Sequence, residues 1–151
     1  MAMTMTGAYQ LAASRRVVWD MLNDPAALMA CIPGCEELER LDGDSFRVVA
    51  RAKVGPVSAK FKGRVTLSDR DPPNGYRISG EGEGGVAGFA KGGAAVTLTD
   101  KDGGTELSYA VEAHVGGKIA QLGQRLVNGA AKKFADDFFV KFAEQVSAAS
   151  S

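Results

Sequence analysis

The run from Lys118 to about Val146 constrains the fold more than any other stretch of the chain. It is the only segment long enough for a major helix, roughly 29 residues spanning about 43 Å. Gly116 and Gly117 interrupt the strand pattern before it, and no proline follows. At about 100° per residue, Val127, Ala131, Phe134, Phe138 and Phe142 share one side. Leu122, Leu126 and Ala130 extend that side towards the helix start, and Gln121, Arg125, Lys132 and Asp136 gather opposite. Nearly everything before this run reads as strand. The economical architecture is a curved sheet wrapped around one long helix.

A chain of 151 residues suits a single domain, 1–151, with one core. Met1 to Thr6 reads as a loose leader, which leaves an ordered core over about residues 6–147. The formal net charge is zero, so no global field selects nucleic acid or an anionic membrane. No apolar run approaches the length of a membrane span, and the start lacks the basic-then-apolar layout of a signal peptide. Two cysteines, Cys31 and Cys35, make no disulfide framework, and a reducing cytoplasm is the default location.

In chain order, Gly7 to Ala12 reads as a short strand. Ser14 caps a helix to about Leu22, and Asp24-Pro25 starts a second helix that stops before Ile32-Pro33-Gly34. From Cys35 the period changes from 3.6 to 2. Glu36–Leu41 is a strand, and Asp42-Gly43-Asp44 a hairpin signal. Phe46, Val48, Ala50, Ala52 and Val54 then face one way, with Arg47, Val49, Arg51 and Lys53 opposite. Val57, Ala59, Phe61, Gly63, Val65 and Leu67 repeat the alternation against Ser58, Lys60, Lys62, Arg64 and Thr66. Tyr76, Ile78, Gly80, Gly82 and Gly84 form the next inner row. Ala94, Val96 and Leu98, then Leu107, Tyr109, Val111, Ala113 and Val115, supply the last two. The order is β-α-α, six further antiparallel strands, then the long helix: an α+β chain with a seven-stranded sheet.

The inner face becomes small towards the middle of the strands: Ala50, Ala52, Ala59, Gly63, Gly80, Gly82, Gly84, Ala94 and Ala113. A close-packed core needs its volume filled. Either Phe134, Phe138 and Phe142 of the helix fill the space, or an elongated apolar cavity lies between sheet and helix. The second reading is carried forward, with Phe61, Tyr109 and Val111 as further lining residues. No acidic, basic or histidine side chain falls on the inner face of the central strands, and acid–base chemistry needs titratable partners within reach. Binding is favoured over turnover, and no catalytic residue is assigned.

Several eye-catching groups have plain readings. His114 shares a face with Glu112 and points outward. Cys31 and Cys35 lack the further ligands of a zinc site, so no metal is expected. Gly116-Gly117-Lys118 lacks the spacing of a phosphate loop. The glycine-rich stretch Gly84 to Gly93 reads either as a plain hairpin connection or as a mobile lid, with Phe89 covering an apolar ligand and Lys91 near its polar end. Arg47, Arg51, Lys53, Lys60, Lys62 and Arg64 line the outer face of two adjacent strands. They form either a solvated face or a docking patch for an acidic protein or lipid head groups, in which Arg51, Lys53, Lys60 and Lys62 make the contacts.

The order β-α-α-β6-α resembles the helix-grip fold of the START and polyketide-cyclase superfamily. More specifically, motifs in series resemble the carbon monoxide dehydrogenase G-subunit family over about residues 6–146, Gly123-Gln124-Arg125-Leu126-Val127 among them. The others are Ile32-Pro33-Gly34-Cys35-Glu36, Lys53-Val54-Gly55-Pro56-Val57, Ala59-Lys60-Phe61-Lys62-Gly63, Gly88-Phe89-Ala90-Lys91-Gly92-Gly93 and Phe134-Ala135-Asp136-Asp137-Phe138-Phe139. The resemblance implies an accessory protein of a molybdenum hydroxylase-type dehydrogenase. Such a protein would bring the enzyme to the inner face of the cytoplasmic membrane and carry a quinone (menaquinone or ubiquinone) or a lipid. Some relatives continue into a membrane-directed tail, whereas this sequence closes on Ser147-Ala148-Ala149-Ser150-Ser151. The resemblance implies no catalytic residue and no tightly bound cofactor. The superfamily also contains cyclases and hydrolases, which keeps an enzyme as the remote alternative, and a docking factor with an incidental cavity as the nearer one.

Overall fold

The computed structural model describes residues 1–150. The first strand, β1, spans Ala2–Leu11 and is followed by helices α1 (Arg15–Leu22) and α2 (Pro25–Cys31). Six strands come next: β2 (Cys35–Arg40), β3 (Ser45–Val54), β4 (Val57–Asp71), β5 (Gly75–Glu83), β6 (Phe89–Lys101) and β7 (Gly104–Gly116). A short helix, α3 (Lys118–Gln121), leads into α4 (Gln124–Ser150). All seven strands form one antiparallel sheet in the order β1-β7-β6-β5-β4-β3-β2. Consecutive hairpins build β2 to β7, and β1 closes onto β7. This is the helix-grip arrangement that the resemblance implies.

Local chemistry sets the helix starts. Ser14 Oγ accepts from the Val17 amide, and Asp24 Oδ1 accepts from the Ala26 amide with Pro25 at the first helical position. Each cap satisfies a donor that has no partner inside its helix.

Three expectations are corrected here. Met1 to Thr6 is no loose leader, because β1 begins at Ala2 and Met3 is buried. The chain's amino group donates to Val115 O at 2.9 Å, and Gln124 Nε2 donates to Ala2 O at 3.0 Å. The long helix is not continuous from Lys118. Gly123, at φ +95°, breaks it after one turn, a backbone conformation that costs glycine little. At its other end the helix runs past Val146 to Ser150, while Ser151 lies outside the described residues.

The core divides into two apolar clusters. The larger gathers Leu11, Val18, Trp19, Leu22, Phe46, Leu67, Tyr76, Leu98, Leu107, Phe142 and Val146, with Val48, Val65, Ile78, Tyr109, Phe138 and Phe139 packed against it. Trp19 meets Tyr76 edge-on at 5.4 Å. The smaller joins Met3, Ala87, Val115, Ile119 and Val127, with Val54, Val57, Ala59, Phe61 and Ala113 packed against it. Each cluster ties one end of α4 to the sheet, leaving the middle of the inner face between them.

Candidate ligand hollow and its mouth

The middle of the inner face is where the small residues lie. Ala50, Ala52, Gly63, Gly80, Gly82, Ala94 and Val111 belong to neither cluster, and each is only half-buried. The register brings them together: Ala52 pairs with Ala59, Gly63 with Gly82 and Ala94 with Val111. The space before them can be gauged at the glycines. A Cβ on Gly82 would meet only the adjacent strand, Lys62 O at 3.7 Å and Gly63 Cα at 3.9 Å. One on Gly80 would meet only Arg64 O and a Val65 methyl, at 3.4 and 3.5 Å. No atom of α4 comes within 4 Å of either position. Phe61 and Tyr109 flank the hollow, and their rings lie flat over Gly84 and Gly7, where a Cβ would come within 2.6 Å of each ring.

The helix contributes differently from the expected stripe. Its buried row is Val127, Ala135, Phe142 and Val146, with Ala131, Phe138 and Phe139 half-buried beside it. Phe134 is 45% exposed and does not fill the hollow. An i, i+4 row drifts by about 40° per step, which carries the buried face from Val127 through Ala131 and Ala135 to Phe139 and leaves Phe134 on the flank. Phe138 stacks with Phe142 at 5.7 Å and meets Phe139 edge-on at 4.9 Å.

The expected lid is also corrected. Only Gly84–Gly88 is a turn, with a 3-10 helical turn over Gly85–Ala87. From Phe89 onward the chain is strand β6: Phe89 pairs with Glu83 and Gly116, and Lys91 with Glu81 and His114. Both side chains therefore share the outer face with Glu81, Glu83 and His114. There Phe89 lies over Gly116, and Phe89 and Lys91 help line a groove of about 470 Å³ with Arg47, Lys62 and Arg64.

A separate feature lies along β1. A cleft of about 440 Å³ runs between β1 and α4, lined by Met3 to Tyr9, Tyr109, Asn128, Lys132 and Asp136. Three rings line up behind it: Tyr9 stacks on Phe139 at 4.2 Å, and Tyr109 lies 5.8 Å from Phe139 on the same slant. Tyr9 Oη donates to Asp136 Oδ1 at 2.5 Å, and Lys132 Nζ donates to Asp136 Oδ2 at 2.9 Å. These bonds, Tyr9's first, hold the Asp136 carboxyl below its ordinary pKa. Burial, then the bond to Asp136, holds the Tyr9 hydroxyl protonated far above the ordinary phenol range. The lowered pKa makes the Asp136 carboxylate a weaker base than an ordinary one. Sequence reasoning missed Tyr9, Phe139, Asn128 and this polar pair as site residues. The alternation Met3, Met5, Gly7, Tyr9, Leu11 was the available signal.

On the outer face, Glu36 holds two of the four expected docking cations, Arg51 at 2.7 Å and Lys60 at 3.1 Å. Arg47 is held by Glu39 and Glu37. Lys53 and Lys62 have no ion pair among the described residues. Val49, flanked by Arg47 and Arg51 on this face, is only 1% exposed, consistent with long charged side chains laying their apolar stems over it.

Residues 7–147 match the family described as the G subunit of carbon monoxide dehydrogenase (CoxG). A conserved protein from Geobacillus kaustophilus has a structure similar to this one, with a TM-score of 0.92 and 33% identity, over 99% of this chain and 98% of its own. The Zhui aromatase/cyclase from Streptomyces is similar in fold, with a TM-score of 0.69 and 13% identity over 97% of this chain and 94% of its own. Ara h 8.0201 is likewise similar in fold, with a TM-score of 0.68 and 13% identity over 98% and 99%. No curated protein matches the sequence.

Proposed function

This chain belongs to the CoxG family of carbon monoxide dehydrogenase subunits, and from that premise we propose that it is a non-catalytic accessory protein that carries a long apolar molecule. The observation that supports this reading is the run of small, half-buried inner-face residues between the two apolar clusters, Ala50, Ala52, Gly63, Gly80, Gly82, Ala94 and Val111. The apolar tail lies there, against Phe138 and the inner strands. Its desolvation supplies most of the affinity, about 25 cal/mol per Å² before the costs of association. The ring-bearing end sits at the β1–α4 cleft, where Tyr9, Tyr109 and Phe139 offer stacking surfaces and Asn128 and Lys132 offer donors. A quinone, menaquinone or ubiquinone, suits that combination, and a lipid is the other candidate class.

The partner in this reading is a molybdenum hydroxylase-type dehydrogenase, linked through the carrier to the cytoplasmic membrane and its respiratory chain. Contact with the membrane in this reading is peripheral; no helix among the described residues is long and apolar enough to cross one. Native mass spectrometry of the purified protein, followed by solvent extraction, tests the proposal. A stoichiometric quinone or lipid is expected. A protein that is isolated empty and takes up neither menaquinone nor ubiquinone analogues would overturn it.

A further inference from the structure

The sheet has two free edges, and they are built in opposite ways. β2 is six residues long, carries Glu36, Glu37, Glu39 and Arg40, and has a register shift between Cys35 and Glu37. Its acids are tied to Arg47, Arg51 and Lys60. Short length, charge and a bulge are the devices by which an edge strand avoids pairing with another chain. β1 has none of them. It is ten residues long, has no charged residue and no proline, and pairs with β7 in unbroken register from Ala2 to Leu11.

Which of its main-chain groups face outward follows from the ladder. Met1 and Val115 exchange both hydrogen bonds, Val115 N to Met1 O and the chain's amino group to Val115 O. In an antiparallel ladder hydrogen-bonded and non-hydrogen-bonded pairs alternate. The odd-numbered residues of β1 therefore bond to β7, and Ala2, Thr4, Thr6 and Ala8 turn their N–H and C=O groups to the free edge. The Gln124 side chain already occupies Ala2 O. Thr4, Thr6 and Ala8 border the open cleft.

The geometry points to a second copy of this chain as the partner of that edge, the two β1 strands pairing antiparallel about a twofold axis at Thr6. The stretch is self-complementary in that register. Thr6 faces Thr6 and Thr4 faces Ala8, both small pairs with no like charges opposed. On the inner side Met5 faces Gly7, so the larger side chain meets the residue that leaves room for it. The charged residues lining the cleft, Lys132 and Asp136, already neutralise each other. An uncharged edge next to a neutral helix flank favours a like surface over a charged partner. The pairing uses main-chain groups of β1 and does not depend on the carrier reading.

Sedimentation of the wild-type chain tests this without any ligand, and a concentration-dependent dimer is expected. Thr6→Pro removes an N–H that faces only the free edge, so the fold survives while the dimer's dissociation constant rises about tenfold or more. Thr6→Lys, exposed on the outer face, places two cations opposite each other and also favours monomer. Mixing it with Thr6→Glu restores a dimer that contains one of each. A wild-type chain that stays monomeric at its solubility limit overturns the inference, as does a dimer that ignores all three substitutions. A monomer whose Thr4, Thr6 and Ala8 amides become protected from exchange only when a dehydrogenase is added gives the edge to that protein instead, and overturns self-pairing too.

Discussion

The Asp136 carboxylate accepts from Tyr9 on β1 and from Lys132 one helical turn earlier, so a single side chain joins the first strand to the last helix. Its folded pKa lies below the ordinary value of 3.8. A depressed carboxylate contributes stability that is fully present above the unfolded pKa and is lost as pH falls through the folded one. Tyr9→Phe removes the largest cause of that depression. Acid unfolding of this variant, followed by circular dichroism below pH 3.8, should begin at a higher pH than in the wild type, with the two profiles converging in the most acid range. Identical acid limbs would mean that the bond contributes nothing in solution. Half of this junction was legible in the sequence, because Lys132 and Asp136 stand four apart on a helix. Tyr9 was not: it falls in the short strand read over Gly7 to Ala12, but alternation alone does not say which helix a strand lies against.

At the scale of elements, α4 shows what periodicity settles and what it leaves open. That a long helix packs on the sheet followed from its length and its phenylalanines. Its rotation did not, because Phe134, Phe138 and Phe142 are as regular a row as Ala131, Ala135 and Phe139, and the buried face is set by what packs against it. The consequence is measurable. Phe142 is fully buried within the larger cluster, among residues of α1, α2 and the sheet, and Phe142→Ala should cost about 3–5 kcal/mol in urea unfolding. Phe134→Ala, on the flank, should stay within about 0.5 kcal/mol of the wild type. Comparable costs would return Phe134 to the core. β6 makes the complementary point. The glycines around Phe89 and Lys91 suggested a mobile segment, but a strand held on both sides by β5 and β7 needs little propensity of its own, and the pairing turned Phe89 and Lys91 to the outer face.

For the whole molecule, the two clusters hold the ends of α4 to the sheet, and the proposed carrier role rests on the small residues between them at the centre of the sheet. The small inner residues that mark this centre were legible from alternation alone, because a period of two assigns faces without knowledge of the fold. Which glycines leave space and which are required by close backbone approach was not, and the distinction decides the most informative pair of substitutions. A Cβ on Gly63 would sit 2.5 Å from Glu81 O, a backbone atom that cannot give way, so Gly63→Ala should destabilise the fold by about 1–3 kcal/mol. Gly82 lies directly opposite on β5, yet its Cβ would make only ordinary contacts. Gly82→Leu should therefore keep its unfolding free energy within about 1 kcal/mol of the wild type. Its side chain would project into the hollow and abolish uptake of a quinone analogue measured by fluorescence quenching. A Gly82→Leu protein that is folded and still binds the analogue as the wild type does would move the ligand out of the hollow. Loss of binding in Gly63→Ala alone, with unfolding to match, would reduce the hollow to a consequence of strand packing. The predicted pattern, one glycine governing stability and its neighbour governing binding, arises only if the space between the clusters is there to be filled.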